Sequence, residues 1–261
     1  MQHSRPIVGF HCSGATGQEW HRLKAMSAGP APVFTPDFFG CPSRGPWKGG
    51  RFSFADEAAP LLPEIRALGA PVHLVAHSYG GGVALHILRH HPDLVASLCL
   101  YEPTCFHVLR DLGAEGEALI EEIAALNGGL LADIEAGRLR KAAAAFTEFW
   151  SGPGAFDALS PERQAAMEAW IPKVVPDFDA LIDEPETPGD LRPDLPVTLI
   201  WGHDTRVQTR RIIDVLAARF DAPQVHGLDG AGHMGPFTHR DQVFALVAAH
   251  IARAETGLAG A

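Results

Sequence analysis

One stretch constrains this chain more than any other: Val72-His73-Leu74-Val75-Ala76-His77-Ser78-Tyr79-Gly80-Gly81-Gly82. It is a short apolar run, a serine, then a glycine cluster that opens a helical pattern. A bounded apolar run of this length reads as a buried strand. We therefore read a strand, a sharp turn and a helix, with Ser78 at the apex. The small residues two before and two after it, Ala76 and Gly80, let strand and helix approach closely. A plainer reading also exists, a glycine-rich turn whose serine caps the helix. The surrounding chain has to decide.

Taken in order, the chain alternates. Pro6 to Cys12 is a strand pattern, followed by the loop Ser13-Gly14-Ala15-Thr16-Gly17 and a helix start at Gln18-Glu19-Trp20. Val33 to Asp37 is a shorter strand, and a Gly- and Pro-dense loop runs from Phe38 to Ser53. Ala55 to Leu68 is helical in pattern despite Pro60 and Pro63. After the central turn, Val83 to His90 continues the helix, His91-Pro92 ends it, and Val95 to Leu100 is another strand. Such alternation predicts a parallel sheet with helices on both faces. From 106 to 191 only helical patterns occur, one of them opened by Ser160 as N-cap with Pro161 at the first position. Asp183 to Pro196 reads as a linker. The alternation then resumes with strands at Val197–Trp201 and Gln224–Leu228 and helices at Thr209–Phe220 and Gln242–Ala252. The tail from Glu255 to Ala261 reads as frayed. The expected organisation is an α/β core, 1–105 and 192–261, interrupted by a helical insertion, 106–191.

A serine hydroxyl is a poor nucleophile. It needs a base to take its proton and a third group to orient that base. The resumed sheet supplies candidates beyond strand ends, where ligands of open parallel sheets bind. Trp201-Gly202-His203-Asp204 places Asp204 just past a strand. Asp229-Gly230-Ala231-Gly232-His233-Met234 places His233 in a glycine loop after the last strand. We assign Ser78 as nucleophile, His233 as base and Asp204 as the orienting acid. Glu102, just past the Val95–Leu100 strand, is the competing acid, and Asp229 reads as a turn residue. The amide of Tyr79 is one expected oxyanion donor, and Ser13 or Cys12 supplies the other. His11 and His77 are expected to fix loop geometry. Cys12 has no motif that would make it a nucleophile. Trp150, Trp170, Phe146 and Phe149 either line a pocket or pack the insertion.

These residues together resemble the α/β-hydrolase family, over about Pro6 to Pro103 and Pro196 to Ala252. The segments that carry the resemblance are Phe10-His11-Cys12-Ser13-Gly14, Ala76-His77-Ser78-Tyr79-Gly80-Gly81, Trp201-Gly202-His203-Asp204 and Gly230-Ala231-Gly232-His233-Met234. The order Ser, Asp, His is also that of the family. The resemblance implies a reduced α/β-hydrolase fold of about six mostly parallel strands, the family's first two being absent, with the insertion as its variable cap. The departures are His11-Cys12 where the family often has His-Gly, and Ala76 at the first glycine of the turn. A serine at the apex argues against the epoxide-hydrolase and haloalkane-dehalogenase branches, whose nucleophile is a carboxylate.

The implied activity is acyl transfer from a small or medium ester, lactone, thioester or amide. Relatives with the same triad cleave carbon–carbon bonds of diketones or perform perhydrolysis. The contrasting reading is a catalytically silent member of the fold that binds a small ligand. A nucleotide-binding protein is disfavoured, because the glycines after Ser78 match neither phosphate-loop nor dinucleotide spacing. No metal or organic cofactor is implied. The partner expected is a small-molecule substrate, and a homo-oligomer is compatible with the sequence.

Composition narrows the setting. The 261 residues carry a net charge of −10 and 46% apolar residues, enough for a substantial core. There is no basic stripe of the kind nucleic-acid binding needs. No run suits a membrane span, and the N-terminus lacks a secretory pattern. Cys12, Cys41, Cys99 and Cys105 show no close metal spacing. A cytoplasmic location is the resulting expectation.

Overall fold

The apolar runs form strands because both of their faces are covered. In the computed structural model, which describes residues 5–26, 31–49, 51–185 and 194–258, they build one six-stranded sheet. The strands are β1 (Ile7–Phe10), β2 (Val33–Phe34), β3 (Val72–His77), β4 (Val95–Tyr101), β5 (Val197–Gly202) and β6 (Gln224–Leu228). Their order is β2-β1-β3-β4-β5-β6, and every pairing is parallel. The order reverses at β1, so the crevice beyond the ends of β1 and β3 is where such a sheet binds ligands.

Side chains alternate between the two faces of each strand. Val8, Phe10, Leu74, Ala76, Leu98, Leu100 and Leu199 share one core with the helices Tyr79–His90 and Val207–Arg219. Ile7, Val75, Cys99, Tyr101 and Ile200 face the other, under Trp20, Leu23 and the Arg240–Leu258 helix through Val243, Phe244 and Val247. This second face carries a buried polar row. His73 Nδ1 and His250 Nε2 both meet Ser97 Oγ, at 2.7 and 2.8 Å, and His250 Nδ1 meets Thr198 Oγ1 at 2.8 Å.

Three local expectations change. The helix expected over 55–68 is two, Phe54–Ala58 and Leu61–Arg66, because Pro60 has no N–H to continue the first. A capping box between Ser53 and Asp56 starts the first of them. The last helix runs to Leu258 instead of ending at Ala252, because Glu255 is anchored: it accepts from the Arg5 amide at 3.0 Å and pairs with His73 Nε2 at 2.7 Å. Of the expected linker and tail, residues 186–193 and 259–261 lie outside the described residues, as does most of the N-terminal segment, 1–4. Between β4 and β5 the described residues hold no strand. The helices there are Ala114–Glu135, Leu139–Ser151, Pro161–Trp170 and Val174–Asp183, with shorter turns between them. No described helix is long and apolar enough to cross a membrane.

At the turn after β3, Ser78 has φ 53° and ψ −121°. A non-glycine residue there is strained and is held by its surroundings. The glycines that follow make the packing possible. A Cβ on Gly80 would lie 2.7 Å from the carbonyl oxygens of both Phe10 and His11, and one on Gly81 would lie 2.5 Å from Pro103 Cβ. Gly80→Ala is therefore expected to cost about 2 kcal/mol, read as a lower denaturation midpoint in urea at unchanged slope.

Candidate active site

The site is assembled from the ends of neighbouring strands. Ser78 sits at the sharp turn, 5% exposed, and its amide donates to Tyr101 O at 3.1 Å. Its Oγ lies 2.9 Å from His233 Nε2. The loop carrying His233 leaves β6 and folds against the end of β5. A Cβ on Gly202 would meet Ala231 O at 2.1 Å, so only glycine lets that loop approach. Tyr101 Oη donates to Gly232 O at 2.7 Å and pins the loop from β4.

The acid facing His233 is Glu102, not Asp204. Glu102 Oε2 lies 2.8 Å from His233 Nδ1, and the side chain is fully buried. The same carboxylate accepts from the Gly202 amide at 2.8 Å and from Thr205 Oγ1 at 2.7 Å. Glu102 is aimed there by a left-handed backbone, φ 41°, immediately past β4. Asp204 lies in the exposed turn after β5, and only its backbone serves the histidine loop, its amide donating to Ala231 O at 2.9 Å. The correction has a geometric reason. The histidine loop occupies the end of β5, so the turn beyond it faces outward, whereas the end of β4 lies directly beside Ser78. Asp229 stays at the surface and pairs with His203 at 2.7 Å.

Burial holds the His233 imidazole below its ordinary value, against the opposing pull of Glu102. Trp150, from the helical insertion, stacks on the ring with centroids 4.0 Å apart. Trp150 and Phe146 line a cavity of about 690 Å³ that contains Ser78, His233 and Ser13. Trp170 packs on Phe146, and Phe149 packs under Arg206, so neither of these two lines the cavity.

The loop after β1 is held by two buried networks whose carboxylates, Glu19, Glu57 and Asp177, no sequence pattern singled out. In the first, Glu19 accepts from the Cys12 amide at 2.9 Å and meets His77 Nδ1 at 2.7 Å, while His77 Nε2 lies 2.8 Å from His233 O. Both His77 nitrogens thus face oxygen acceptors. Cys12's amide is consumed by this contact, whereas the amides of Ser13 and Tyr79 donate to no other described group. His11 donates from Nδ1 to Cys12 O at 2.8 Å and accepts from the Phe38 amide at 3.1 Å, which fixes the loop as expected.

The second network comes from the insertion. Ser13 Oγ donates to Asp177 Oδ2 at 3.1 Å, Lys173 bridges Asp177 and Glu57, and Tyr79 Oη donates to Glu57 Oε2 at 2.8 Å. Burial pushes Asp177 up to about 6, with Lys173 pulling the other way. For Lys173, burial favours the neutral amine, but Asp177 and Glu57 together outweigh it and keep the ammonium.

Two groups of metal-ligand-type residues border the site, His11/Asp37/Cys41 and Cys12/Glu19/His77. Their ring nitrogens are engaged in the bonds just described, and Asp37 accepts from the Gly17 amide at 2.8 Å. Burial raises both thiols, Cys41 to about 12, the reverse of what a thiolate ligand or nucleophile requires.

Lys173→Met is expected to cost about 4 kcal/mol, because it leaves the Glu57 and Asp177 carboxylates buried without a cation. Asp177→Asn, which leaves Lys173 paired with Glu57, is expected to cost about 2 kcal/mol. Urea denaturation of both variants checks the order.

Against this geometry, comparison with known proteins places the chain. Residues 7–246 match the model of the Alpha/beta hydrolase family. Lipase LipV of Mycobacterium tuberculosis is 34% identical over 97 residues, which is 37% of this chain and 36% of that lipase, so the match spans about a third of its length. A hydrolase from Pseudomonas aeruginosa PA01 superposes with a TM-score of 0.75 at 18% identity, over 95% of this chain and 90% of that one. A haloalkane dehalogenase DbeA loop variant from Bradyrhizobium elkanii does so with a TM-score of 0.64 at 20% identity, over 99% and 93%. At such identities the two structures speak for the fold alone. The family match across nearly the whole sheet and insertion shows that this chain belongs to the α/β-hydrolase family.

Proposed function

We propose that the protein is a serine hydrolase that cleaves a carboxylic ester, lactone, thioester or amide through an acyl-enzyme on Ser78. The observation that carries this reading is the unbroken chain from Ser78 Oγ to His233 Nε2, at 2.9 Å, and from His233 Nδ1 to Glu102 Oε2, at 2.8 Å. The partial likeness to a lipase agrees with it. The serine at the turn separates it from branches of the fold that attack with a carboxylate.

In this reading His233 takes the Ser78 proton as Oγ attacks the substrate carbonyl. The negative oxygen that forms is held by the Tyr79 and Ser13 amides. Two such donors in a water-poor cavity lower the barrier by roughly 3 kcal/mol each. His233 then passes its proton to the leaving group, and water repeats the cycle to release the acid. Glu102 holds the imidazole by its Nδ1–H and stabilises the imidazolium formed in each transition state. The Trp150 face adds a cation–π term to the same charge.

The primary test is labelling with a fluorophosphonate serine probe. The adduct is expected on Ser78 and absent from Ser78→Ala. A folded wild-type protein that stays unlabelled, yet binds a small ligand, would replace this proposal with a silent binding protein.

The acid is tested kinetically. Glu102→Gln is expected to lower kcat/KM by roughly 10³-fold or more, whereas Asp204→Asn changes it by less than about 3-fold. Because the base acts only when neutral, kcat/KM should rise with pH through an apparent pKa below 6.5 and level off by neutrality. A profile still climbing well above neutrality would contradict the assignment of His233.

A further inference from the structure

The cavity holds two arginines for which the protein supplies no counter-charge. Arg163, on the Pro161–Trp170 helix, and Arg240, at the start of the Arg240–Leu258 helix, both line it. Among the described residues neither side chain makes an ion pair or hydrogen bond. Most other described arginines are engaged: Arg211 with Glu115, Arg219 with Asp111, Arg44 with Glu64 and Arg22 with Asp241, the residue after Arg240. Arg240 is also partly sequestered. Its Nε is buried and has no hydrogen-bond partner. Thr147 Oγ1, buried and unpartnered, lines the same cavity. A buried donor left unpaired costs stability, so a group that satisfies it on binding is worth more than a surface contact.

The charge distribution sharpens the point. The whole chain is acidic, at −10. Yet among the described residues the one acid lining this cavity, Glu19, has both oxygens committed to the Cys12 amide and His77. The described lining therefore carries two unpaired guanidinium groups against one committed carboxylate, within an acidic protein. The same lining offers apolar surface through Phe146, Trp150, Met167 and Phe237.

We propose that this cavity takes an anionic substrate, one with a carboxylate separated from the scissile carbonyl by an apolar segment, and that Arg240 with Arg163 from the insertion binds that carboxylate. Guanidinium groups match a carboxylate through paired N–H donors. The proposal names the substrate class for the hydrolase read above and rests on that reading for turnover, although not for binding.

The test uses matched pairs of p-nitrophenyl and alkyl esters. One pair carries the carboxylate on the acyl half, mono-p-nitrophenyl adipate against its methyl-capped diester. The other carries it on the alcohol half. The wild-type enzyme is expected to favour the charged member of at least one pair by about tenfold or more in kcat/KM. Arg240→Gln and Arg163→Gln should each shrink that ratio, chiefly through KM, and Arg240→Lys should restore part of it. A ratio near one in both pairs, unaltered by the variants, overturns the proposal. Adipate binding to Ser78→Ala by calorimetry separates the two readings. Binding that needs Arg240 supports the anion site even if no ester is turned over. Ester turnover without Arg240-dependent adipate binding would sink the anion site and leave the hydrolase standing. Inorganic phosphate is expected to bind more weakly than adipate, and the reverse order would overturn the choice of carboxylate.

Discussion

The strained turn at Ser78 is the constraint from which the rest of the site follows. A serine at φ 53° keeps that conformation only if its neighbours leave no alternative. Here they are the backbones of β1 and the segment after β4, pressed against Gly80 and Gly81 at distances no side chain tolerates. The same packing that strains the turn brings the β1 loop and Glu102's strand alongside it. Ser78, Glu102 and the amides of Tyr79 and Ser13 are thus held by one close contact between a strand and a helix, not assembled independently.

Around that contact the protein spends its buried polar groups on holding loops. Glu19 and His77 tie the β1 loop to the histidine loop. Lys173 and Asp177 reach from the insertion to the residues whose amides flank Ser78, through Ser13 and Tyr79 by way of Glu57. Ion pairs this deep are poor sources of net stability, since desolvation offsets much of their attraction. Their geometric effect is clearer. They give the insertion a charged foothold beside Ser13 and Tyr79, the residues that flank Ser78. The insertion also supplies Trp150 over the imidazole and Arg163 to the cavity.

What was legible in the chain follows from the range of each interaction. The six strands, the turn at Ser78 and the glycine loop bearing His233 depend on residues a few positions apart, so their patterns survive in one dimension. The broken helix at Pro60 was signalled by the proline itself. Glu255 reads as part of a frayed tail because its anchor, His73, lies on a strand far away in the chain. Lys173 is a single cation in an amphipathic segment, a pattern that ordinarily marks solvent exposure. Only the meeting of Glu57 and Asp177 makes its burial tolerable.

The acid shows the boundary most clearly. Sequence order alone was compatible with either Glu102 or Asp204, since both follow strands of the same sheet. The choice depends on which strand end the histidine loop covers and on a left-handed backbone at Glu102, neither of which is written in local residue types. The sequence by itself determined the fold class, the turn at Ser78 and the histidine loop, because hydrophobic period and glycine placement act over short distances. The tertiary structure decided which carboxylate faces His233, the buried clamps on the β1 loop and the unpaired arginines of the cavity. Those depend on which charges meet once the sheet closes and water is excluded.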